Sequence, residues 1–297
     1  MAENLQKYQS LDHLLKSNKR KPGGPFTHTR IGDVDKNIYA GSYNIIDELL
    51  PQFWKLYYKE VFEDGRSEYL TETQNKDEGG ALLVDIDMRF SPTTQKRVYE
   101  LSEISDIIEL YADSLMELLC FSNENKIKIP VFVFEKKNIV KMLEKNYVKD
   151  GLHLVIGLRL HHAYQLLLRE IVIEKEKLEH KIFGEEGLNC INSIEDIFDK
   201  CISSGRNNWQ VWGSKKPGYE AYELKYIWNI IIENNEFQIE LETNKITNAK
   251  IKELIPIVSA KNKTFTEYKK IKDKYKKKLL QINCEINTKN KKKKKKT

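Results

Sequence analysis

Asp85 and Asp87 stand two residues apart in Leu-Leu-Val-Asp-Ile-Asp-Met-Arg, inside the otherwise apolar run 81–90. On a strand, residues i and i+2 share a face, about 7 Å apart along the chain. Two carboxylates on one face of an apolar strand are costly to bury unpaired. A divalent cation neutralises them, and Mg2+ prefers oxygen ligands. Arg89 continues the same face and suits a phosphate. A surface strand with salt-bridged aspartates fits the same residues, and the pattern alone does not choose.

A second group is Lys149-Asp150-Gly151-Leu152-His153, which opens the apolar run 151–158. By the period of two, Lys149, Gly151 and His153 share a face. A point charge, a bare backbone position and an imidazole N–H donor together suit a phosphate. The alternative is a Lys-Asp-Gly turn feeding a core strand. A third group is Phe198-Asp199, followed by Asn208-Trp209-Gln210-Val211-Trp212-Gly213-Ser214-Lys215-Lys216. It offers a third carboxylate, cations at a turn, and two indoles that could stack bases. Alternatively the tryptophans are core and the lysines solvated; at least one indole is expected in the core. Weaker features are Arg206, and His28 and Arg30 in Phe-Thr-His-Thr-Arg, which could touch nucleic acid or cap the next element.

These residues need strands and turns to position them. β-branched and apolar content predicts strands over 81–90, 129–135, 151–158 and 208–214. Helical spacing predicts helices over 104–121 and 163–177, and one over 43–62 with Pro51 as a break or first-turn residue. Segment 193–202 reads as a short helix or strand lead-in, and 222–235 with 237–243 as a helix or strand pair. Mixed strands and helices without strict alternation favour an α+β or irregular α/β domain.

In order, D-x-D, K-x-G-x-H, then F-D with a downstream N-W-x-V-W-G-S-K-K resemble the archaeo-eukaryotic primase superfamily. The motifs are separated by about 60 and 45 residues. The nearest likeness is to the primase-polymerase domains of nucleocytoplasmic large DNA viruses, the poxvirus-type helicase-primase group, over roughly residues 25–230. The resemblance implies an RRM-like catalytic sheet packed beside a second α/β unit, with the site in the cleft between them. It implies two Mg2+ or Mn2+ ions on Asp85, Asp87 and Asp199, and no zinc. It assigns Lys149, Gly151, His153, Lys216 and Arg89 to the nucleotide. Arg30, His28, Arg206, Trp209 and Lys215 are taken as nucleic-acid contacts. Gly151 stands where many relatives have serine, and Gln210 where cellular relatives carry arginine. The implied partners are a single-stranded DNA template, NTPs or dNTPs, and a replicative helicase in trans or in a longer parent chain. The implied location is a viral factory in the host cytoplasm, or the nucleus. A metal-dependent nuclease and a non-catalytic ssDNA-binding module remain as alternatives.

Composition bounds the rest. The 297 residues are 40% hydrophobic and 32% charged. No apolar run approaches the roughly 20 residues of a membrane span, and the N-terminus lacks a secretory pattern, so an intracellular protein without a membrane is expected. Cys120, Cys190, Cys201 and Cys284 form no C-x-x-C pair. No G-x-x-x-x-G-K-[ST] occurs, which argues against a P-loop ATPase. Net charge is +6, yet residues beyond 260 hold sixteen lysines against three acids, so the first 260 carry about −7. A polyanion bound by the body needs a local patch or metal ions. The expected organisation is a flexible arm over 1–24, a catalytic domain over 25–250, a basic helical extension over 251–282, and a disordered lysine-rich tail over 283–297. The basic end is either an electrostatic clamp on DNA or a linker of little consequence.

Overall fold

The structure, a computed structural model, describes residues 8–75, 79–121 and 126–294. In chain order its strands are β1 (His28–Arg30), β2 (Gly41–Tyr43), β3 (Leu70–Glu72), β4 (Gly80–Phe90), β5 (Ile127–Glu135), β6 (Val140–Met142), β7 (Tyr147–Leu160), β8 (Trp209–Gln210), β9 (Glu223–Glu233), β10 (Glu236–Leu241) and β11 (Thr266–Glu267). Its helices are α1 (Leu11–Ser17), α2 (Leu50–Tyr58), α3 (Leu101–Leu118), α4 (His162–Lys175), α5 (Ile194–Ile197), α6 (Lys200–Ser203), α7 (Asn248–Leu254) and α8 (Lys276–Lys294). The architecture is mixed α+β, as the residue patterns predict.

The strands form two sheets. The smaller runs β2-β1-β3-β8, antiparallel throughout. The larger runs β10-β9-β5-β7-β11, with β4 and β6 also on β7. Its pairs are antiparallel apart from the short β7–β11 contact. β7 is buried from Asp150 to Leu158, which explains its unbroken apolar run.

Alternation along β4 separates two cores. Leu82, Val84, Ile86 and Met88 join α3 and α4 in one cluster. Ala81 and Leu83, on the other face, join Val155, Phe134 and residues of the small sheet and α2 in the second. The same face then continues as Asp85, Asp87 and Arg89. The catalytic candidates therefore lie where the second apolar core stops.

Several sequence expectations differ from the structure. The described part of the expected arm, residues 8–24, is not simply an arm, since Leu11, Leu14 and Leu15 of α1 are buried in the second core; residues 1–7 lie outside the described residues. Ser10 caps this helix, accepting from the His13 N–H at 3.1 Å. Pro51 lies in the first turn of α2, where its missing N–H costs nothing. The predicted strand 208–214 shrinks to Trp209–Gln210, because the chain turns at Gly213 with φ +89°. No boundary falls at 250, since Leu254, Ile255, Val258 and Ala260 pack in the second core. The extension is irregular between α7 and α8 rather than helical over 251–282. α8 crosses 283 and runs to Lys294, anchored by Leu279 and Ile282 in the first core. That corrects the disordered tail for 283–294; residues 295–297 lie outside the described residues.

Candidate active site

The first two motifs are cross-strand neighbours. Antiparallel register sets Asp85 opposite His153, Asp87 opposite Gly151, and Arg89 opposite Lys149. Two period-two patterns, 64 positions apart, become one checkerboard on one sheet face. Lys149 Nζ lies 2.7 Å from Asp87 Oδ1, and His153 Nε2 lies 3.5 Å from Asp85 Oδ1.

Asp199 joins this pair through the backbone. Its N–H donates to the Asp85 carbonyl at 3.1 Å, and Phe198 bridges Ile86. Phe198 is 2% exposed among the first-core residues, and Arg169 Nε donates to its carbonyl at 2.8 Å. Asp199 itself caps α6, its Oδ1 accepting from Cys201 N–H at 2.6 Å. Asn192 fastens the neighbouring loop to β4, donating to the Asp87 carbonyl and accepting from Arg89 N–H, both at 2.9 Å. All three aspartates line one cleft of about 230 Å³.

His153 is held between two rings. Tyr222 stacks on it with centroids 3.6 Å apart, and Trp209 lies at 4.4 Å on a tilt of 34°. Lys136, Lys149, Lys215 and Lys216 line the same cleft. The Lys136 ammonium sits over Tyr222 at 4.8 Å and Tyr219 at 5.5 Å. A second cavity of about 260 Å³ shares Lys136, Lys149 and Lys216 and adds Arg89, whose guanidinium covers the Tyr147 ring at 5.2 Å.

Charge in the cleft is out of balance in both directions. Burial, then the Asp87 charge, pushes the Asp85 carboxyl up to about 7. Burial and the charges of Lys136, Lys149 and Lys216 hold His153 well below the usual imidazole range. Burial, Lys149 and Lys216 likewise lower Lys136. Asp85 Oδ1 is buried without a hydrogen-bond partner. A buried, orphaned carboxylate oxygen beside a second carboxylate fits a hard divalent cation. The carboxylates are not drawn into a tight cage: among the described residues, Asp113, Glu179 and His180 are the trio whose ligand atoms all lie within 4.8 Å. That trio already holds Lys175, 2.7 Å from Asp113.

Gly151 has a steric reason. A Cβ there would meet the Ile86 carbonyl oxygen at 2.4 Å. Serine cannot enter without parting β4 from β7. Gly151→Ser is expected to destabilise the fold by about 1–3 kcal/mol, and to shift Asp87. Thermal unfolding checks this; an unchanged midpoint would contradict it.

The remaining assignments divide. Gln210 and Lys215 line the cleft. Trp209 also lines it but is 4% exposed and stacks on His153, so its face is occupied by a protein ring rather than offered to a base. The structure places His28 and Arg30 away from the surface. His28 is fully buried against Phe53, and Arg30 is buried between Glu68 and Asp12. Their period-two spacing puts both on the buried face of β1. Thr29, between them, bonds Thr71 and Asn208 toward the cleft. Arg206 is exposed, its Nε donating to Ser204 Oγ at 3.0 Å, and does not line the cleft.

The motifs also miss residues. Lys136 directly follows the β5 strand, and strand ends at the mouth of a sheet are the signal that could have found it. Tyr222 and Asn192 stand in loops whose local sequence carries no such signal.

A family model described as "C962R protein N-terminal AEP domain" matches residues 33–228, which is more than half of the chain and contains every residue of the checkerboard and Asp199. A search of curated proteins finds no match.

Proposed function

The chain belongs to the C962R-type archaeo-eukaryotic primase (AEP) domain family, and from that premise we propose that it is a primase-polymerase, building nucleic-acid strands on a single-stranded DNA template in viral-type replication. One observation carries the reading. Three aspartates, an imidazole and a set of lysines, distant in sequence, line a single cleft. Carboxylates that need cations, beside ammonium groups that need anions, suit a nucleoside triphosphate with its metal ions.

Asp85, Asp87 and Asp199 would hold Mg2+ or Mn2+. Bound there, the ions would neutralise charge on the attacking and leaving oxygens of nucleotidyl transfer. The chain's own groups do the rest. Lys149, Lys216 and Lys136 bind the β- and γ-phosphates and stabilise departing pyrophosphate. Tyr222 and Trp209 fix the His153 ring plane, so that Nε2 keeps its place beside Asp85. A nuclease would need water at a phosphodiester and has less use for so many lysines. A helicase, in trans or in a longer parent chain, would supply the unwound template.

Extension of a labelled primer on ssDNA, with nucleotides and Mn2+ or Mg2+, tests the reading. Longer products are expected. Shorter products would favour the nuclease, and unchanged DNA with retained binding a non-catalytic module.

Proton and cation compete for Asp85. Because its carboxyl is raised to about 7, the proton must leave before a cation binds, so affinity for the ion rises with pH and levels off above that point. The half-saturating Mn2+ concentration for synthesis is expected to increase up to about ten-fold per pH unit below neutrality, for one displaced proton. A metal requirement that stays flat from pH 5.5 to 8 would contradict this.

A further inference from the structure

We propose that the groove between α2 and the segment 252–264 is a second nucleic-acid site, which takes single-stranded DNA outside the catalytic cleft. It rests on the primase-polymerase reading only for the identity of the strand as DNA. The groove has a volume of about 560 Å³, more than twice that of the cleft. One wall is α2, with Trp54 and Lys55; the other carries Lys252, Lys261 and Lys263. This second wall lies beyond residue 228, outside the family match.

The walls are built rather than incidental. Phe53 and Tyr57 hold the Trp54 ring edge-on, at 4.7 Å and 6.0 Å between centroids, and Trp54 is half-buried at the groove. On the opposite side, Ser259 donates to buried Glu72, and Lys261 Nζ donates to Thr73 Oγ1 at 2.8 Å. Asn262 Oδ1 accepts from the Thr264 N–H at 2.6 Å, fixing the loop. Lys263 Nζ reaches across to Asp47 on the α2 side at 2.8 Å, tying the two walls together.

Four lysines face one aspartate here, in a body whose net charge is negative. A polyanion complements that charge. A partly exposed indole among the lysines adds a platform for a flat ring. A single strand offers both phosphates and unstacked bases, whereas a duplex keeps its base faces covered. An acidic peptide would answer the lysines but leave the indole unused.

The test is binding without nucleotides, in an Asp85→Asn background, so that it does not depend on synthesis. Anisotropy of a labelled 20-nucleotide oligo(dT) is compared with that of a 20-base-pair duplex. Lys55→Glu with Lys252→Glu alters two exposed residues, of which Lys252 lies over the Tyr58 ring at 5.6 Å, so an unchanged melting temperature is required of the variant. It is expected to weaken oligo(dT) binding by at least about ten-fold and to reduce the salt slope by about 1.4. Trp54→Ala is expected to weaken it by about ten-fold with little change in slope. An iodouracil-substituted oligonucleotide should cross-link to Trp54. Unchanged affinity in the charge-reversed protein, or equal affinity for the duplex, would overturn the proposal. If the wild-type chain binds in this way yet synthesises nothing, the groove stands and the primase-polymerase reading falls.

Discussion

Asp85→Asn and Asp199→Asn, made separately, are expected to lower strand synthesis by about 10³-fold or more, with no loss of stability. The split between the two readouts follows from the geometry. Asparagine keeps the shape of each side chain and removes its charge. At Asp85 that charge is a liability to the fold: burial and Asp87 raise its carboxyl above the ordinary range, so the ionised form costs stability at neutral pH. The sign is definite. A raised folded-state value means stability is fullest at low pH and declines as pH rises through about 7, so a neutral amide is expected to hold or raise the melting temperature. At Asp199, asparagine can still accept from the Cys201 N–H and cap α6. Both variants should unfold at or above the wild-type temperature while primer extension disappears. A folded Asp85→Asn enzyme that keeps wild-type synthesis would remove the aspartate from the chemistry.

The largest stability effect belongs to Arg30. Its side chain is 1% exposed and forms a fork on Glu68, with Nε to Oε1 at 2.7 Å and a second N–H to Oε2 at 2.6 Å; Glu68 is fully buried. Asp12 on α1 completes the pairing at 2.6 Å, and Arg66 ties Asp12 to Glu60. This network pins α1 to the small sheet. Arg30→Ala leaves the Glu68 carboxylate buried without its main partner, and is expected to cost about 3–5 kcal/mol. Urea denaturation gives the number directly. Arg30→Met combined with Glu68→Leu is expected to recover much of that loss, because the uncompensated charge goes as well. If Arg30→Ala instead folds normally and binds oligonucleotides less tightly, Arg30 is a nucleic-acid contact after all.

Arg30 also shows where sequence reading fails. A cation beside a histidine and two threonines looks like a nucleic-acid contact until the strand's other face is known. Glu68, which turns Arg30 into a structural residue, is 38 positions away and shares no pattern with it. The checkerboard was legible for the opposite reason. Each of its motifs declares its own face through a period of two, and the apolar neighbours Leu83 and Val155 fix which face is which. Asp199 was legible as a possible third carboxylate, and as a metal ligand only through the resemblance; its arrival beside Asp85 depends on Phe198 being buried under the sheet. Tyr222 enters the site by tertiary packing alone, and Lys136 only through its place at the end of β5. The C-terminal segment misled because lysine content masks the few apolar residues, Leu254, Ile255, Val258, Leu279 and Ile282, that tie it into the two cores.

The most direct test of the central claim is anomalous diffraction from crystals grown with Mn2+ and a non-hydrolysable nucleoside triphosphate. The prediction is manganese signal among the carboxylates of Asp85, Asp87 and Asp199, with the triphosphate extending toward Lys136, Lys149 and Lys216. Manganese confined to Asp113, Glu179 and His180, or a triphosphate bound away from those lysines, would contradict it.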